Sequence, residues 1–510
     1  MFKKHPKGLL AAALANMGER FGFYTMMAIL SLFLMSKFDL SETRAGYIYS
    51  AFYFSIYILA FVGGLIADKT KNFKKTILIG LILMAFGYLI IAIPTPTPVP
   101  ASQYAVMLGM CCVGLFVIAF GNGLFKGNLH ALVGQMYDDP KYSNMRDSGF
   151  SLFYMFINVG AIFAPVFAVA IRNWWVNSHG YEYNANLSEL CNRYLDGTLS
   201  SDGQVSFQAL AASVGYSGTD LNAFANEYAG IFVTGFHYAF AIAIVAMFIS
   251  LLVYVMNRKY FPNPSVTKKQ SAAGLEGGMS LHEMRQRLYA LFAVFAVVIF
   301  FWFSFHQNGL TLTYFAKDFT DVSNIHINLG FTTLIGVELF QSVNPFFVVF
   351  LTPVILAVFG ALRVRGKEPS TPRKIAIGMF IAAAAYALMT FGSTGLPAKA
   401  EVTLAGGLTD SEKVTPFLLI GTYFILTVAE LFISPLGISF VSKVAPSRYQ
   451  GMMQGLWLCA TAVGNSLLFL GAIFYEKYSL TATWSIFVGV CLISMCLMLA
   501  MLKWLERIAR

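Results

Sequence analysis

Twelve long apolar segments run along the chain, and they constrain its fold more than any other feature. Each is long enough to cross a hydrocarbon core of roughly 30 Å, which takes about 20 helical residues. Because a spanning backbone must satisfy its own hydrogen bonds, and because the segments are about twice as long as barrel strands, we predict α-helices. The segments run near 8–36, 45–67, 76–95, 104–136, 148–172, 230–257, 284–316, 339–362, 374–395, 414–442, 449–476 and 481–505.

The composition supports a membrane solvent. Hydrophobic residues make up 57% of the 510 positions, charged residues only 12%, and the mean hydropathy is +0.66. These values are far from those of soluble globular domains. We therefore predict an all-α integral membrane protein. Its first apolar segment is expected to remain in the mature chain, because it is too long for a signal peptide and carries charges at its centre.

The basic residues indicate how the chain is oriented. They concentrate at both termini and in alternate loops, such as DKTKNFKK and RVRGKEPSTPRK. The positive-inside rule then predicts that both termini are cytoplasmic. A bacterial inner membrane is the expected location. The net charge of +10 reflects this topology, and its dispersal over short loops argues against a nucleic-acid partner.

Two polar segments divide the predicted helices. We expect a first bundle from helices 1–5 (1–172) and helix 6 (230–257), an extracytoplasmic insert (173–229), a cytoplasmic linker (258–283) and a second bundle (284–510). Short helices are predicted in the insert at LSELCNRYL and FQALAASVG. The insert is open to three interpretations: a lid, a docking surface for an envelope partner, or a passive elaboration.

The sequence offers no enzyme chemistry. The six cysteines and seven histidines show no metal-ligand spacing, so no metal is expected. GNGLFKGN has glycines and a lysine, but it ends an apolar helix and does not join a strand to a helix. We expect no cofactor and an energy source other than bound ATP.

A few ionisable residues lie at membrane depth, where charge is costly and usually faces a cavity or a partner. Because they come from spans in both halves, a shared polar cavity is favoured over isolated salt bridges between helices. Successive helix residues point about 100° apart, so the adjacent acid and base of the first span are expected to serve different partners. The set is Glu19, Arg20, Lys126, His237, His306 and Glu430.

Five motifs resemble those of the proton-dependent oligopeptide transporter (POT) family of the major facilitator superfamily. They are ERFGFY, GNGLFKGNLHALVGQMY, RDSGFSLFYMFINVGA, QSVNPFF and ELFISPLGISFVSKVAP. The resemblance covers nearly all of the chain except the insert and the linker. It implies the major facilitator fold, with two six-helix bundles, and a symporter that imports di- and tripeptides with protons by alternating access.

The resemblance also implies roles for individual residues. Arg20 and Lys126 match residues that hold the carboxylate end of a peptide, and Asn158, Asn344 and Glu430 match those that receive its amino end. Opposite charges from facing helices suit a zwitterionic dipeptide. Residues matching cavity positions that line side-chain pockets are Tyr24, Tyr57, Trp302, Ser434 and Trp457. For the aromatic ones, a lipid-facing or core position is the alternative, since 15% of the chain is aromatic.

Proton coupling is implied for Glu19, which matches an acid of the family's Glu-x-x-Glu-Arg motif, and for Glu430. Lys126 and Glu430 are expected to pair across the halves when the site is empty. The driving force implied by the resemblance is a proton gradient.

Three positions depart from the family pattern. Asn16 stands where the first glutamate of the motif is expected, which removes one protonatable group. Met27 stands where many members have an arginine, and His306 where many have a glutamate that can pair with it. His306 has two interpretations: a titratable replacement for the glutamate, or a neutral imidazole hydrogen-bonded within the bundle.

These departures leave other functions open. The chain could be an uncoupled carrier of peptides or other small organic anions, or a receptor that senses peptide without turnover. A membrane enzyme is disfavoured because no nucleophile with a base is found.

Overall fold

A computed structural model describes residues 5–70, 72–137, 139–142, 145–262, 281–323, 325–446 and 450–508. Within these ranges, twelve helices or helix pairs are long and apolar enough to cross a membrane. The protein is therefore a multi-pass membrane protein, as the apolar segments predict. Most of the predicted linker, 263–280, lies outside the described residues.

The first six spans form one bundle. Helices α1 and α8 pack together, both contact α5, and α4 packs against α2 and α3. Glycines permit the close approach of α2 and α4: a Cβ on Gly63 would overlap the backbone of Gly123. The helices of this half are α1 (Lys7–Phe38), α2 (Glu42–Thr70), α3 (Phe73–Ala92), α4 (Tyr104–Gln135), α5 (Arg146–Ser178) and α8 (Leu221–Met256).

The last six spans form the second bundle, centred on α12 packed between α14 and α17. Two of its spans are each made of two helices, α9 with α10 and α15 with α16. The helices are α9 (Leu281–Phe305), α10 (Thr311–Phe319), α11 (Val343–Val364), α12 (Thr371–Gly392), α13 (Lys399–Ala405), α14 (Pro416–Val444), α15 (Gln450–Ser466), α16 (Phe469–Lys477), α17 (Leu480–Ala500) and α18 (Leu502–Ile508).

The broken spans correct the continuous helices predicted at 284–316 and 449–476. The seventh span changes to a 3-10 turn at His306–Gly309. The backbone oxygens near this break are bonded by side chains: the Asn308 carbonyl accepts hydrogen bonds from Tyr423 Oη at 2.6 Å and Gln341 Nε2 at 2.9 Å. Such breaks are tolerated at membrane depth where protein groups satisfy the freed backbone.

The segment between α5 and α8 carries both short helices that its sequence predicts, α6 (Leu187–Leu195) and α7 (Ser201–Ser213). The long helices extend into the predicted range 173–229, so the segment outside them is 179–220, which we call the insert. We call the side of the bundles that carries it the insert face. The opposite side is the termini face, because an even number of spans returns the chain to the side where it began.

A two-stranded antiparallel sheet, β1 (Ile327–Asn328) with β2 (Thr333–Leu334), lies between α10 and α11. The Asn173 amide in α5 donates hydrogen bonds to the Thr333 and Ile335 carbonyls, both at 2.8 Å. A 3-10 helix, Val337–Ser342, then leads into α11. This link joins the two bundles at the insert face.

Candidate functional site

A cavity of about 260 Å³, lined by charged, polar and aromatic side chains, lies between the two bundles. It is slightly smaller than the roughly 300–1,000 Å³ typical of small-ligand sites. Every substrate-binding position suggested by the sequence lines it, and so does His306; Glu19 lies directly behind the wall. These lining residues are Arg20, Tyr24, Tyr57, Lys126, Asn158, Trp302, His306, Asn344, Glu430, Ser434 and Trp457.

The cationic end of the cavity is built by α1 and α4. Arg20 forms two hydrogen bonds with the carboxylate of Glu19, from Nε at 2.6 Å and from Nη2 at 2.7 Å. The Asn122 amide in α4 donates to the same carboxylate. The angle between successive helix residues did not predict this contact between Glu19 and Arg20, because the long arginine side chain turns back to its neighbour.

Lys126 of α4 supplies the second cation, whereas Arg20 belongs to α1. Its Nζ lies 4.1 Å from the centre of the Tyr57 ring, an arrangement in which the ring face stabilises the charge. Within the part of the chain that the structure describes, Lys126 forms no ion pair. The cavity therefore has a cation with free hydrogen-bonding capacity.

The anionic end comes from the second bundle. Glu430 of α14 accepts a hydrogen bond at 3.0 Å from Asn344 Nδ2 of α11, which also donates to Thr427 Oγ1 at 2.9 Å. The expected ion pair between Lys126 and Glu430 is absent among the described residues. Each charge is instead held by a neutral neighbour from its own bundle, so both stay available across the cavity.

His306 stands at the break in the seventh span. Its Nδ1 is 2.5 Å from Asn465 Oδ1 of α15, and its ring stacks on Trp302 with 5.0 Å between ring centres. Tyr53 of α2 covers the ring from the other bundle at 4.8 Å. This geometry supports the interpretation of His306 as a hydrogen-bonded imidazole that shapes the cavity wall.

The aromatic wall of the second bundle rests on a close contact between α14 and α15. Trp457 is 3% exposed, and a Cβ on Gly437 would overlap its indole. Glycine at 437 therefore sets the position of the Trp457 ring at the cavity edge.

Several lining residues were not singled out from the sequence. Tyr49 and Tyr53 precede Tyr57 on α2, and the spacing of four residues places all three on one helix face. His130 follows Lys126 by the same spacing, and its Nδ1 lies 2.7 Å from the Lys126 carbonyl oxygen. Helical periodicity around the two resemblance-based positions was the signal that could have found them.

His237 does not join this site. It is buried in α8, with Nδ1 2.7 Å from the Ile91 carbonyl oxygen and its ring packed against Phe33. The polar cavity therefore draws on fewer membrane-depth groups than the sequence indicated.

Twelve spans in two bundles, with opposite charges facing each other across a central cavity, define a membrane carrier for small polar solutes. A family model described as the POT family matches residues 74–274 and 278–502. The chain belongs to this family, whose members are peptide transporters rather than enzymes, and the resemblance seen in its motifs is confirmed.

Named relatives match this chain over most of their own length. The peptide transporter YePEPT of Yersinia enterocolitica is 30% identical over 488 residues, covering 91% of this chain and 87% of that protein. Dipeptide and tripeptide permease B of Xenorhabdus bovienii is 27% identical, covering 99% and 96%. A crystal structure of a peptide transporter POT in complex with sulfate has a TM-score of 0.71 at 23% identity, covering 100% and 96%. The expected fold is thereby confirmed.

Proposed function

We propose that the protein imports di- and tripeptides together with protons by alternating access, with its insert face outside the cytoplasm. The observation that carries the proposal is the placement of two cations from the first bundle and one carboxylate from the second around one cavity. Relatives named as peptide transporters and as dipeptide and tripeptide permeases support the substrate class. The distribution of basic residues supports the orientation.

In this proposal the peptide spans the two bundles. Its carboxylate binds Arg20 and Lys126, and its ammonium group binds Glu430 with Asn344 and Asn158. Tyr24, Tyr57, Trp302, Ser434 and Trp457 contact its side chains. A ligand held at both ends draws the bundles together, which gives binding a direct effect on the conformational equilibrium.

Glu19 and Glu430 are the proposed proton carriers. A peptide carboxylate that approaches Arg20 competes with Glu19 for the guanidinium, because Arg20 already donates two hydrogen bonds to Glu19. This competition links peptide binding to the protonation of Glu19. Peptide binding has the opposite effect on the protonation of Glu430, because a peptide ammonium favours the charged form of this carboxylate.

A second candidate is a carrier that kept the peptide site without proton coupling. Asn16 favours it, because an amide lines the cavity where the family motif has an acid. The contact between His306 and Asn465 favours it too, since it gives the imidazole a structural role.

Uptake by proteoliposomes tests the proposal. We expect wild-type protein to accumulate labelled dialanine when the lumen is alkaline, and the Glu19→Gln variant to equilibrate it without accumulation. Exposed Glu182 offers a matched control, because Glu182→Gln should accumulate dialanine as wild type does. Equilibration by wild type in the presence of the gradient would establish the uncoupled carrier instead.

A receptor would behave differently in the same preparation. Saturable dialanine binding with no entry into the lumen would identify a sensor, and the transport proposal would be abandoned.

A further inference from the structure

The insert touches both bundles. On the first bundle, Tyr228 Oη of α8 donates to the Glu182 carbonyl at 3.0 Å, and the Asn192 amide donates to the Ser36 carbonyl at 3.2 Å. On the second, Arg193 Nη1 donates to the Thr403 carbonyl at 2.5 Å. Two insert hydroxyl groups, those of Ser200 and Ser206, donate to the carbonyls of Leu404 and Ala405 at 2.7 and 3.0 Å.

Beneath these contacts lies a buried network of charges, which we call the insert-face cluster: Glu42, Glu189, Lys317, Asp318 and Lys399. Lys317 Nζ is 2.7 Å from Glu189 and 3.4 Å from Asp318. Lys399 Nζ is 2.9 Å from Asp318 and 3.0 Å from Glu42. Except for Glu189, which is 29% exposed, these side chains are at most 7% exposed.

The members of the cluster come from both bundles and from the insert. Glu42 begins α2 in the first bundle and Glu189 belongs to the insert, whereas Lys317, Asp318 and Lys399 belong to the second bundle. Tyr475 Oη of α16 also donates to Asp318 at 2.7 Å. The ion pairs that join Lys399 to Glu42 and Lys317 to Glu189 therefore cross between the halves.

The charges of the insert-face cluster stabilise one another. Burial alone would raise the pKa of the Glu189 carboxyl, but Lys317 and Lys399 outweigh it and hold this pKa well below its usual value. Burial alone would lower the pKa of the Lys399 ammonium, yet Asp318 and Glu42 raise it well above its usual value. Both groups therefore carry their charge at neutral pH in this arrangement.

A further ion pair joins the two bundles at this face. Arg172 of α5 is buried against Glu338, which precedes α11, and the insert residue Tyr183 covers the guanidinium at 4.0 Å. The insert thus contacts the ion-paired groups of both halves at the same face.

From these contacts we propose that the insert is a clamp that holds the insert face closed, and that it must release the second bundle before the cavity can open on that face. The Glu189–Lys317 ion pair and the hydrogen bonds to residues 403–405 are the contacts that break. The inference rests on the proposed alternating access, in which the cavity opens at each face in turn.

A reversible cross-link tests whether release is needed. A Cβ on Gly406 would lie 3.1 Å from Ser206 Cβ, close to the roughly 3.5–4.5 Å of disulfides, so Ser206→Cys with Gly406→Cys can bridge the insert to the second bundle. The backbone φ angle of Gly406 is +78°, a conformation that a cysteine adopts only with strain. The two single variants, treated with the same oxidant, therefore control for this strain and for the native cysteines. We expect loss of dialanine uptake on oxidation of the double variant and recovery on reduction.

Unchanged uptake by the oxidised, cross-linked protein would overturn the clamp. Absence of uptake by wild type and by every reduced variant is a different result, because it rejects the proposed transport function. The clamp is then decided by a measurement that needs no transport.

That measurement is hydrogen–deuterium exchange of α10, whose residues Thr311–Phe319 are all buried at the insert face. Glu189→Gln removes the charge that faces Lys317 and should speed exchange in α10. The matched change Glu182→Gln, in an exposed insert residue, should leave it unaltered. Equal exchange in the two variants would show that Glu189 does not hold the face closed, and the clamp would be rejected.

Discussion

The central cavity and the insert-face cluster both hold charged side chains, but only the cluster pairs every one of them. In the cluster, each lysine lies within 2.7–3.4 Å of two carboxylates. In the cavity, Lys126 and Glu430 have no ionic partner among the described residues. A buried charge is costly unless it is paired, so the pairs of the cluster hold parts together. The cavity charges can gain their missing partners from a ligand.

The largest effect is expected from breaking a buried ion pair at the insert face. Arg172→Gln would leave Glu338 buried without its cation, which costs about 3–5 kcal/mol. Thermal unfolding in detergent should reveal this loss. Arg363 on the other face, 73% exposed in its pair with Glu368, offers the control, because Arg363→Gln should cost less than about 1 kcal/mol. Equal losses in the two variants would contradict the structural role of the buried pair.

A smaller effect, on binding rather than stability, is expected in the cavity. Lys126→Gln removes a charged donor worth about 1.5–3 kcal/mol to a bound carboxylate, so dialanine affinity should fall about 10- to 100-fold. The unfolding temperature should change little, because Lys126 holds no ion pair among the residues that the structure describes. Exposed Lys367 provides the control variant Lys367→Gln. Wild-type affinity in Lys126→Gln would remove this lysine from the site.

The wall of the cavity can be altered without touching a charge. Gly437→Ala would force Trp457 out of its position, and such overpacking costs about 1–3 kcal/mol. We expect a lower unfolding temperature and altered peptide side-chain preference. Gly360→Ala is the matched change, since nothing lies near the added methyl group there. Equal behaviour of the two variants would mean that α14 and α15 separate readily at this contact.

His306 differs from Lys126 and Glu430, because it is a cavity residue whose ring is already hydrogen-bonded to Asn465 of its own bundle. His306→Gln should cost about 1 kcal/mol of stability through loss of the hydrogen bond to Asn465. The pH dependence of uptake should remain as in wild type. A flattened pH profile would instead assign proton coupling to His306, an interpretation that the sequence leaves open.

The sequence predicted much of the fold because the bilayer permits few solutions. Span positions follow from apolar length, and the insert helix at 187–195 follows from its amphipathic pattern. The breaks near His306 and after Ser466 were missed, because each lies inside an apolar segment long enough to cross the membrane, and a few polar residues do not by themselves end a helix. The side chains that bond the freed backbone lie far from the breaks along the chain. Gln341 and Tyr423, which donate to the Asn308 carbonyl, are examples.

The cavity positions were found through family motifs, whereas its internal contacts were not. The pairing of Glu19 with Arg20 depends on side-chain rotamers that a helical wheel does not contain. The insert-face cluster was missed for another reason: Glu42, Lys317 and Lys399 lie at helix ends, where charges look solvated. Only the tertiary fold brings them together with Glu189.

The central claim is that the cavity charges bind the two ends of a peptide, and chemical changes at each end test it directly. We would measure the binding of dialanine, N-acetyl-dialanine and dialanine amide to purified wild type and to Glu430→Gln. Wild type should prefer dialanine to both derivatives. The variant should lose its preference over the acetylated peptide and keep its preference over the amide. If the variant retained both preferences, Glu430 would not receive the amino end and the account would be contradicted.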